Sequence, residues 1–351
     1  MRRSPRSVLG ALIATTALLA TGALSGTAGA APASGPDPVG HSAAATTTAQ
    51  QDQVRSHWTA DRMRAAVPIE ELAPEALRAA VERSAEGAAG PGGTAATPQG
   101  EPRKVAPTSA SSGRAAVTNR GVGTAEFPQT GAPWVGEKIE STAGRVFFTY
   151  DGRAASCSGN AVTSGNASTV LTAGHCVKLD GAWHEDWVFV PGYTDGSAPF
   201  GEWPALSTHS TPQWEASEDM NYDVGAAKVA ETGGELLTEV VGSQGLAFNT
   251  GYDLDAYAFG YPAADPYDGE TFIYCSGTTF KDPLLTTAHG LGCDMTGGSS
   301  GGPWLVDFDE ETGTGLQASV NSFGYVFLPG NMFGPHFGAE AEALYESVQL
   351  S

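Results

Sequence analysis

Aromatic side chains are confined almost entirely to one part of this chain. Thirty of the 31 lie between Phe127 and Tyr345, and the exception is Trp58. The four cysteines lie in the same part, at Cys157, Cys176, Cys275 and Cys293. Because a packed core needs large apolar side chains, only the last 226 of the 351 residues can form a substantial globular domain.

The charge changes at the same place. Residues 1–125 carry 12 Lys/Arg and 9 Asp/Glu, a net charge of +3, whereas residues 126–351 carry 6 and 30, a net charge of −24. An acidic surface repels the phosphates of nucleic acids and of anionic membranes. We therefore expect neither nucleic acid nor membrane as a partner.

The first 30 residues have the features of a secretory signal peptide. Arg2, Arg3 and Arg6 precede the apolar run Val8–Ala20, and small residues suitable for cleavage follow at 28–30. The run is shorter than the roughly 20 residues that span a bilayer, which argues against a membrane anchor. We expect a secreted, extracellular protein whose four cysteines form two disulfides, with three possible pairings.

Residues 31–125 are interpreted as a pro-segment, the alternative being a linker with incidental helicity. Residues 31–50 and 86–125 are rich in Ala, Gly, Pro, Ser and Thr, so they are expected to be mobile. Between them lie two short helical patterns, the first capped by Asp61 and the second beginning at Pro74. Such short helices cannot form a core alone, which suggests that they fold against the domain that follows.

From residue 126 onward, short β-rich runs alternate with turn residues. The clearest runs are Arg145–Tyr150, Ser168–Leu171, Leu254–Phe259 and Gly315–Val320. This pattern is typical of an all-β sandwich or barrel. Ala339–Leu350 is the exception, because its Ala, Leu and Glu content favours a terminal helix.

Three segments carry residues with catalytic chemistry. Val170–Cys176 contains His175, Asn221–Val229 contains Asp223, and Gly297–Trp304 places a serine in a glycine-rich turn. A serine hydroxyl needs a neighbouring base, histidine accepts its proton, and a buried aspartate fixes the histidine tautomer. Each segment alone is weak evidence, but together, in the order His, Asp, Ser, they predict nucleophilic catalysis.

These segments resemble those of trypsin-like, chymotrypsin-fold serine proteases, closest to the secreted bacterial members related to the glutamyl endopeptidase group. Thr172–Cys176 matches the histidine motif, Asp223–Ala226 the aspartate strand, and Gly298–Pro303 the serine signature. The resemblance covers about residues 140–350. It implies two six-stranded antiparallel β-barrels with a C-terminal helix, in a protease domain of residues 126–351.

The resemblance also implies the residue roles. Ser300 would be the nucleophile, His175 the general base and Asp223 its orienting acid, with the N–H groups of Gly298 and Ser300 forming the oxyanion hole. Ser299 replaces the aspartate that binds a new amino terminus in trypsin-like enzymes, so that switch should not operate. The implied disulfides join Cys157 to Cys176 and Cys275 to Cys293.

Specificity is left open. Asp294, six residues before the serine, is either a pocket acid that favours Lys or Arg before the scissile bond or a turn residue after Cys293. A glutamate-specific enzyme of the staphylococcal type would have histidine where this chain has Asn321. The strand expected to line the pocket holds Ser322, Phe323 and Gly324.

Two other functions are compatible with parts of the sequence. The serine turn also fits the Gly-x-Ser-x-Gly elbow of lipases and esterases, but Pro303–Val306 reads as a strand where that fold needs a helix. A catalytically silent binding protein is the other alternative. The remaining histidines show no shared metal-ligand spacing, so no metal or cofactor is expected, and the partners would be protein or peptide substrates of a monomer.

Overall fold

A computed structural model describes residues 39–89, 100–111, 125–135 and 139–351. The expected signal peptide, residues 1–30, lies outside these ranges, as do parts of the expected pro-segment. Within the described ranges, no helix has both the length and the apolar character needed to cross a bilayer.

Strands account for most of the regular structure. The strands in these ranges are β1 Gly40–Ala43, β2 Val67–Pro68, β3 Arg103–Val105, β4 Gln129–Pro133, β5 Ala143–Tyr150, β6 Arg153–Val162, β7 Thr169–Thr172, β8 Lys178–Leu179, β9 Ala182–Trp183, β10 Glu185–Pro191, β11 Trp203–Ser210, β12 Gly225–Val229, β13 Gly245–Phe248, β14 Asp255–Gly260, β15 Ile273–Thr278, β16 Phe280–Lys281, β17 His289–Gly292, β18 Pro303–Asp309, β19 Thr314–Val320 and β20 Asn331–Gly334. The α-helices are α1 Thr48–His57, α2 Ala60–Arg64, α3 Ile69–Leu72, α4 Pro74–Ala89, α5 Ile139–Thr142, α6 Pro212–Ser217, α7 Leu237–Val241 and α8 Ala339–Gln349.

The first half of the domain is a closed six-stranded barrel. Its strands follow the order β11-β10-β5-β6-β7-β12, and β12 pairs with β11 to close the ring. The second half consists of a seven-stranded sheet, β3-β13-β19-β18-β14-β15-β4, and a three-stranded sheet, β16-β17-β20. Helix α8 buries Leu344 and Val348, as expected for the C-terminal helix. The all-β chymotrypsin-type architecture expected from the sequence is confirmed.

The N-terminal segment is folded onto the domain. β1 pairs with β11, β2 with β6 and β3 with β13. Trp58 is buried, and its indole N–H donates to the Asp186 carbonyl at 2.6 Å. The expectation that residues 31–50 and 86–125 are mobile is therefore wrong for β1, the start of α1 and β3, because the domain supplies the strand partners that these stretches lack. The first of the two helices predicted from the sequence corresponds to α2. The hydroxyl of Thr59 caps it, whereas the sequence suggested Asp61.

Basic side chains of this segment contact acidic groups of the domain. A single surface ion pair contributes little to the free energy of unfolding. The pairs found here join the basic N-terminal segment to the acidic domain, in agreement with the charge difference between the two parts of the sequence. The pairs are Arg64–Asp195, Arg83–Glu218, Arg103–Glu342 and Lys104–Asp307.

Both disulfides are present with the local pairing. Cys157 in β6 joins Cys176, which lies in a 3-10 turn just after β7, and Cys275 in β15 joins Cys293. The described residues contain no free cysteine. The first bridge ties the turn that carries His175 to the barrel wall.

Candidate active site

His175 and Asp223 form a buried pair. His175 lies in the 3-10 turn Gly174–Cys176, and Asp223 lies between the 3-10 turn Met220–Tyr222 and β12. One carboxylate oxygen of Asp223 accepts from the His175 backbone N–H at 2.8 Å, and the other from the ring Nδ1–H at 2.7 Å. The bond at Nδ1 leaves Nε2 as the ring nitrogen directed away from Asp223, and Nε2 makes no hydrogen bond to the residues that the structure describes.

Ser322 supports the same carboxylate. Its hydroxyl donates to Oδ2 of Asp223 at 2.5 Å, so this buried serine helps to orient the acid. The resemblance indicates the position of Ser322 but does not predict this contact.

Gly174, which replaces an alanine of the family motif, is explained by close packing. A Cβ there would lie 2.8 Å from the ring of Trp214 and 2.9 Å from Oδ1 of Asp223. Trp214 is fully buried beside His175, with ring centroids 6.3 Å apart. Glycine therefore lets a tryptophan cover the pair and exclude water from it.

The turn that carries Ser300 is held by glycines and backbone hydrogen bonds. Gly298 and Gly301 have φ of +93° and +82°, and a Cβ on Gly301 would lie 2.1 Å from Oγ1 of Thr172. The Ser300 carbonyl accepts from the Ser158 N–H at 2.7 Å, and the Ser158 hydroxyl donates to the Gly298 carbonyl at 2.9 Å. The Gly298 N–H is thereby directed into the site.

The side chains of Ser299 and Asn321, next to the nucleophile, form hydrogen bonds within the turn. The Ser299 hydroxyl donates to the Thr296 carbonyl at 2.8 Å. Asn321 is fully buried; its amide donates to the Phe259 and Ser299 carbonyls at 2.8 and 3.0 Å, and it accepts from Trp304 at 2.7 Å. Asn321 therefore stabilises the turn and has no free polar atom for a substrate.

Glu70, from α3 of the N-terminal segment, lies at the centre of the site. Its Oε1 accepts a short hydrogen bond from the Ser300 hydroxyl and lies 3.8 Å from Nε2 of His175. Its Oε2 accepts from the Gly298 N–H at 3.0 Å. One carboxylate oxygen of Glu70 therefore lies beside both the serine and the histidine, and Asp223 is bonded behind the histidine. Glu70 was not among the predicted residues, since no local motif marks it.

These contacts determine the protonation states. Burial lowers the pKa of His175, but the carboxylates of Asp223 and Glu70 outweigh it and raise that pKa to about 10. Burial also raises the pKa of Glu70, but His175 and the Ser300 hydroxyl outweigh it, so the net shift is downward. The site therefore holds an imidazolium between two carboxylates.

The residues expected to set specificity are more dispersed. Asp294 is exposed and accepts from the Tyr267 hydroxyl at 2.7 Å, while its N–H donates to the Thr130 carbonyl at 2.7 Å. Phe323 is buried and bonds to the backbone of Phe333, and Gly324 is exposed.

Other histidines lie in the core. Burial lowers the pKa of both His184 and His289 to about 3, so both are neutral. The one group of three potential metal ligands in the described residues is Cys157, His175 and Cys176, and its two sulfurs form a disulfide.

Comparison with known proteins identifies the fold family. A solved protease, Anisep from Arthrobacter nicotinovorans, is 41% identical, with a TM-score of 0.58, over 62% of this chain and 99% of its own. The thermostable serine protease AL20 from an extremophilic microorganism is 38% identical, with a TM-score of 0.57, over 60% of this chain and 98% of its own. This chain belongs to the serine proteases of the chymotrypsin fold. A Glu endopeptidase that is 16% identical to this serine protease, with a TM-score of 0.51, shares its fold.

Two further comparisons are less informative. No protein-family model matches the sequence of this serine protease. A curated relative, named "Extracellular metalloprotease", from Bacillus subtilis strain 168, is 28% identical over 160 residues. These residues cover 44% of this chain, and the chain spans about half of that relative, 49% of its length.

Proposed function

We propose that this protein is a secreted serine endopeptidase, made as a precursor with a signal peptide at 1–30 and a pro-segment at 31–125. The observation that carries the proposal is the convergence of Ser300 and His175 on one oxygen of Glu70, with Asp223 bonded behind the histidine. The nucleophile and the base, far apart in sequence, thus lie beside one oxygen atom, with the orienting acid behind the base, as nucleophilic catalysis requires.

The mechanism follows from these positions. With Glu70 withdrawn, Nε2 of His175 takes the proton of Ser300 as Oγ attacks the substrate carbonyl carbon. The oxyanion then accepts from the Gly298 N–H and, as its second donor, from the Ser300 N–H. His175 returns the proton to the leaving amine, and a water molecule hydrolyses the acyl-enzyme by the same route. Asp223 stabilises the imidazolium in both steps.

Covalent labelling tests this proposal. A fluorophosphonate probe should react with the processed protein once per chain, and a peptide map should place the adduct on Ser300. The negative control is heat-unfolded protein, in which Ser300 no longer lies beside His175 and should not react. Absence of labelling in correctly processed protein would instead favour a catalytically silent binding protein.

A preference for Lys or Arg before the scissile bond is the more detailed part of the proposal. It is supported by the exposed carboxylate of Asp294, six residues before the nucleophile, and by the engagement of Asn321 within the turn, which leaves no side chain there to recognise glutamate. Replacing Asp294 with asparagine should lower kcat/KM for Lys and Arg peptides by about 100-fold, because a substrate cation loses its counter-charge.

The measurement is hydrolysis of a panel of chromogenic peptides that differ only in this residue. Asp151→Asn removes an exposed carboxylate from the turn between β5 and β6 and should leave the panel unchanged. Cleavage only after glutamate would support the glutamate-specific alternative, and cleavage after neither class would contradict both.

A further inference from the structure

The carboxylate of Glu70 binds the site as a reaction product would. Hydrolysis of a peptide leaves a carboxylate whose oxygens lie near the nucleophile and in the oxyanion hole. Glu70 places Oε1 on the Ser300 hydroxyl and Oε2 on the Gly298 N–H, at 3.0 Å. Its charge is balanced by His175, 3.8 Å away. A charge-assisted hydrogen bond at each oxygen makes this a strong ligand.

The backbone around Glu70 is not presented for cleavage. β2 runs parallel to β6, and the chain then turns into α3, in which the Ala73 N–H donates to the Ile69 carbonyl at 2.9 Å. Only the side chain reaches Ser300. The carbon of an ionised carboxylate is a poor electrophile, so the serine oxygen does not attack it. Gly297 makes room for it, since a Cβ there would lie 3.1 Å from Oε2. The site is therefore filled by a group that it cannot turn over.

The elements beside Glu70 are anchored to the domain. Ile69 is fully buried. In α4, the Ser84 hydroxyl accepts from the Met220 N–H at 2.7 Å, and Arg83 binds Glu218 at 2.8 Å. These contacts reach the 3-10 turn that precedes Asp223. Glu70 is thus held in place by the buried Ile69 before it and by the contacts of α4 after it.

We infer that Glu70 is an internal, product-like ligand of the active site, which keeps the uncleaved chain latent until its segment is released. The inference rests on the proposed function. It assigns a single side chain to the latency of the precursor, and it predicts that the oxyanion site has affinity for free carboxylates.

The test compares fluorophosphonate labelling of the full-length and processed bands on a denaturing gel. In Glu70→Gln and Glu70→Ala, the full-length band should label about 10- to 100-fold faster than in the wild type, since a hydrogen-bonded charge has been removed. Glu71→Gln, an exposed neighbour in the same helical turn, should label as slowly as the wild type. Once residue 70 has been removed, the processed bands should be identical in all variants.

The outcomes separate the two proposals. Equal labelling of the full-length bands in the wild type and in both Glu70 variants, with a reactive processed band, would overturn the role of Glu70 alone. A processed wild-type band that never reacts would overturn the proposed function itself. The second variant keeps the test decisive if the glutamine amide disrupts packing against Gly298.

Chemical rescue provides a readout that a purely structural role would not affect. In Glu70→Ala, the vacated carboxylate position should accept acetate, so millimolar acetate should slow labelling of the full-length band relative to equimolar chloride. The same acetate should have no effect on wild-type precursor, where the position is filled. If acetate does not slow labelling of the alanine variant, Glu70 acts through packing and not as a ligand.

Discussion

Replacing Ser300 with alanine should lower kcat of the processed enzyme by about 10⁶-fold, because the nucleophile is lost while binding and the oxyanion hole remain. The remaining rate would come from water attacking a bound, polarised carbonyl. The measurement is steady-state hydrolysis of a chromogenic peptide, with far-ultraviolet circular dichroism to establish that the variant is folded.

The adjacent serine provides a matched control. Ser299 is equally buried, but its hydroxyl donates to the Thr296 carbonyl at 2.8 Å and not into the site. Ser299→Ala should cost about 1 kcal/mol of stability and reduce kcat far less than Ser300→Ala. If the two variants lost activity equally, the effect would belong to the turn and not to the Ser300 hydroxyl.

The catalytic segments could be predicted because their chemistry is local in sequence. The glycines at 298 and 301 and the serine between them form one turn, and His175 lies within one residue of the disulfide that fixes it. The strand runs around them show the alternating and β-branched patterns that a sheet requires. Local signals of this kind can be recognised in the sequence without knowledge of the tertiary fold.

Glu70 could not be predicted in this way. It contacts Ser300 across 230 positions of sequence, through a strand of two residues and a helix of four. Neither element has a pattern long enough to be recognised, and both depend on the domain for their partners. The same reason explains why the stretches that contain β1 and β3 were wrongly expected to be mobile. Composition indicates whether a segment can form its own core, but not whether it can add a strand to the sheet of another domain.

The charge asymmetry now has a structural meaning. The basic segment does not merely precede the acidic domain: its Arg83 and Arg103 contact Glu218 and Glu342. These pairs lie at the edge of the contact between segment and domain, whereas Glu70 brings a negative charge to the imidazolium of His175 at the centre of the site. Basic side chains of the segment pair with acidic groups of the domain, and one carboxylate of the segment lies in the active site.

Replacing Asp223 with asparagine should lower kcat by about 10⁴-fold while leaving the fold intact. The reason lies in the donors around the carboxylate. The His175 backbone N–H can only donate, so the asparagine oxygen must face it, and the NH₂ group then faces Nδ1 of the ring and the Ser322 hydroxyl. Nδ1 must accept, and the ring proton moves to Nε2. The nitrogen that faces Ser300 is then protonated and cannot act as a base.

The control for this prediction is Ser322→Ala, which removes one donor to Asp223 but leaves the histidine tautomer unchanged. Loss of one hydrogen bond to a charged group should lower kcat by about tenfold, far less than the asparagine substitution. Both variants are compared by kcat and KM on one peptide, and KM should change little because both side chains are buried behind His175. Similar small losses in the two variants would mean that Asp223 only packs the site, and that the tautomer of His175 is fixed by something else.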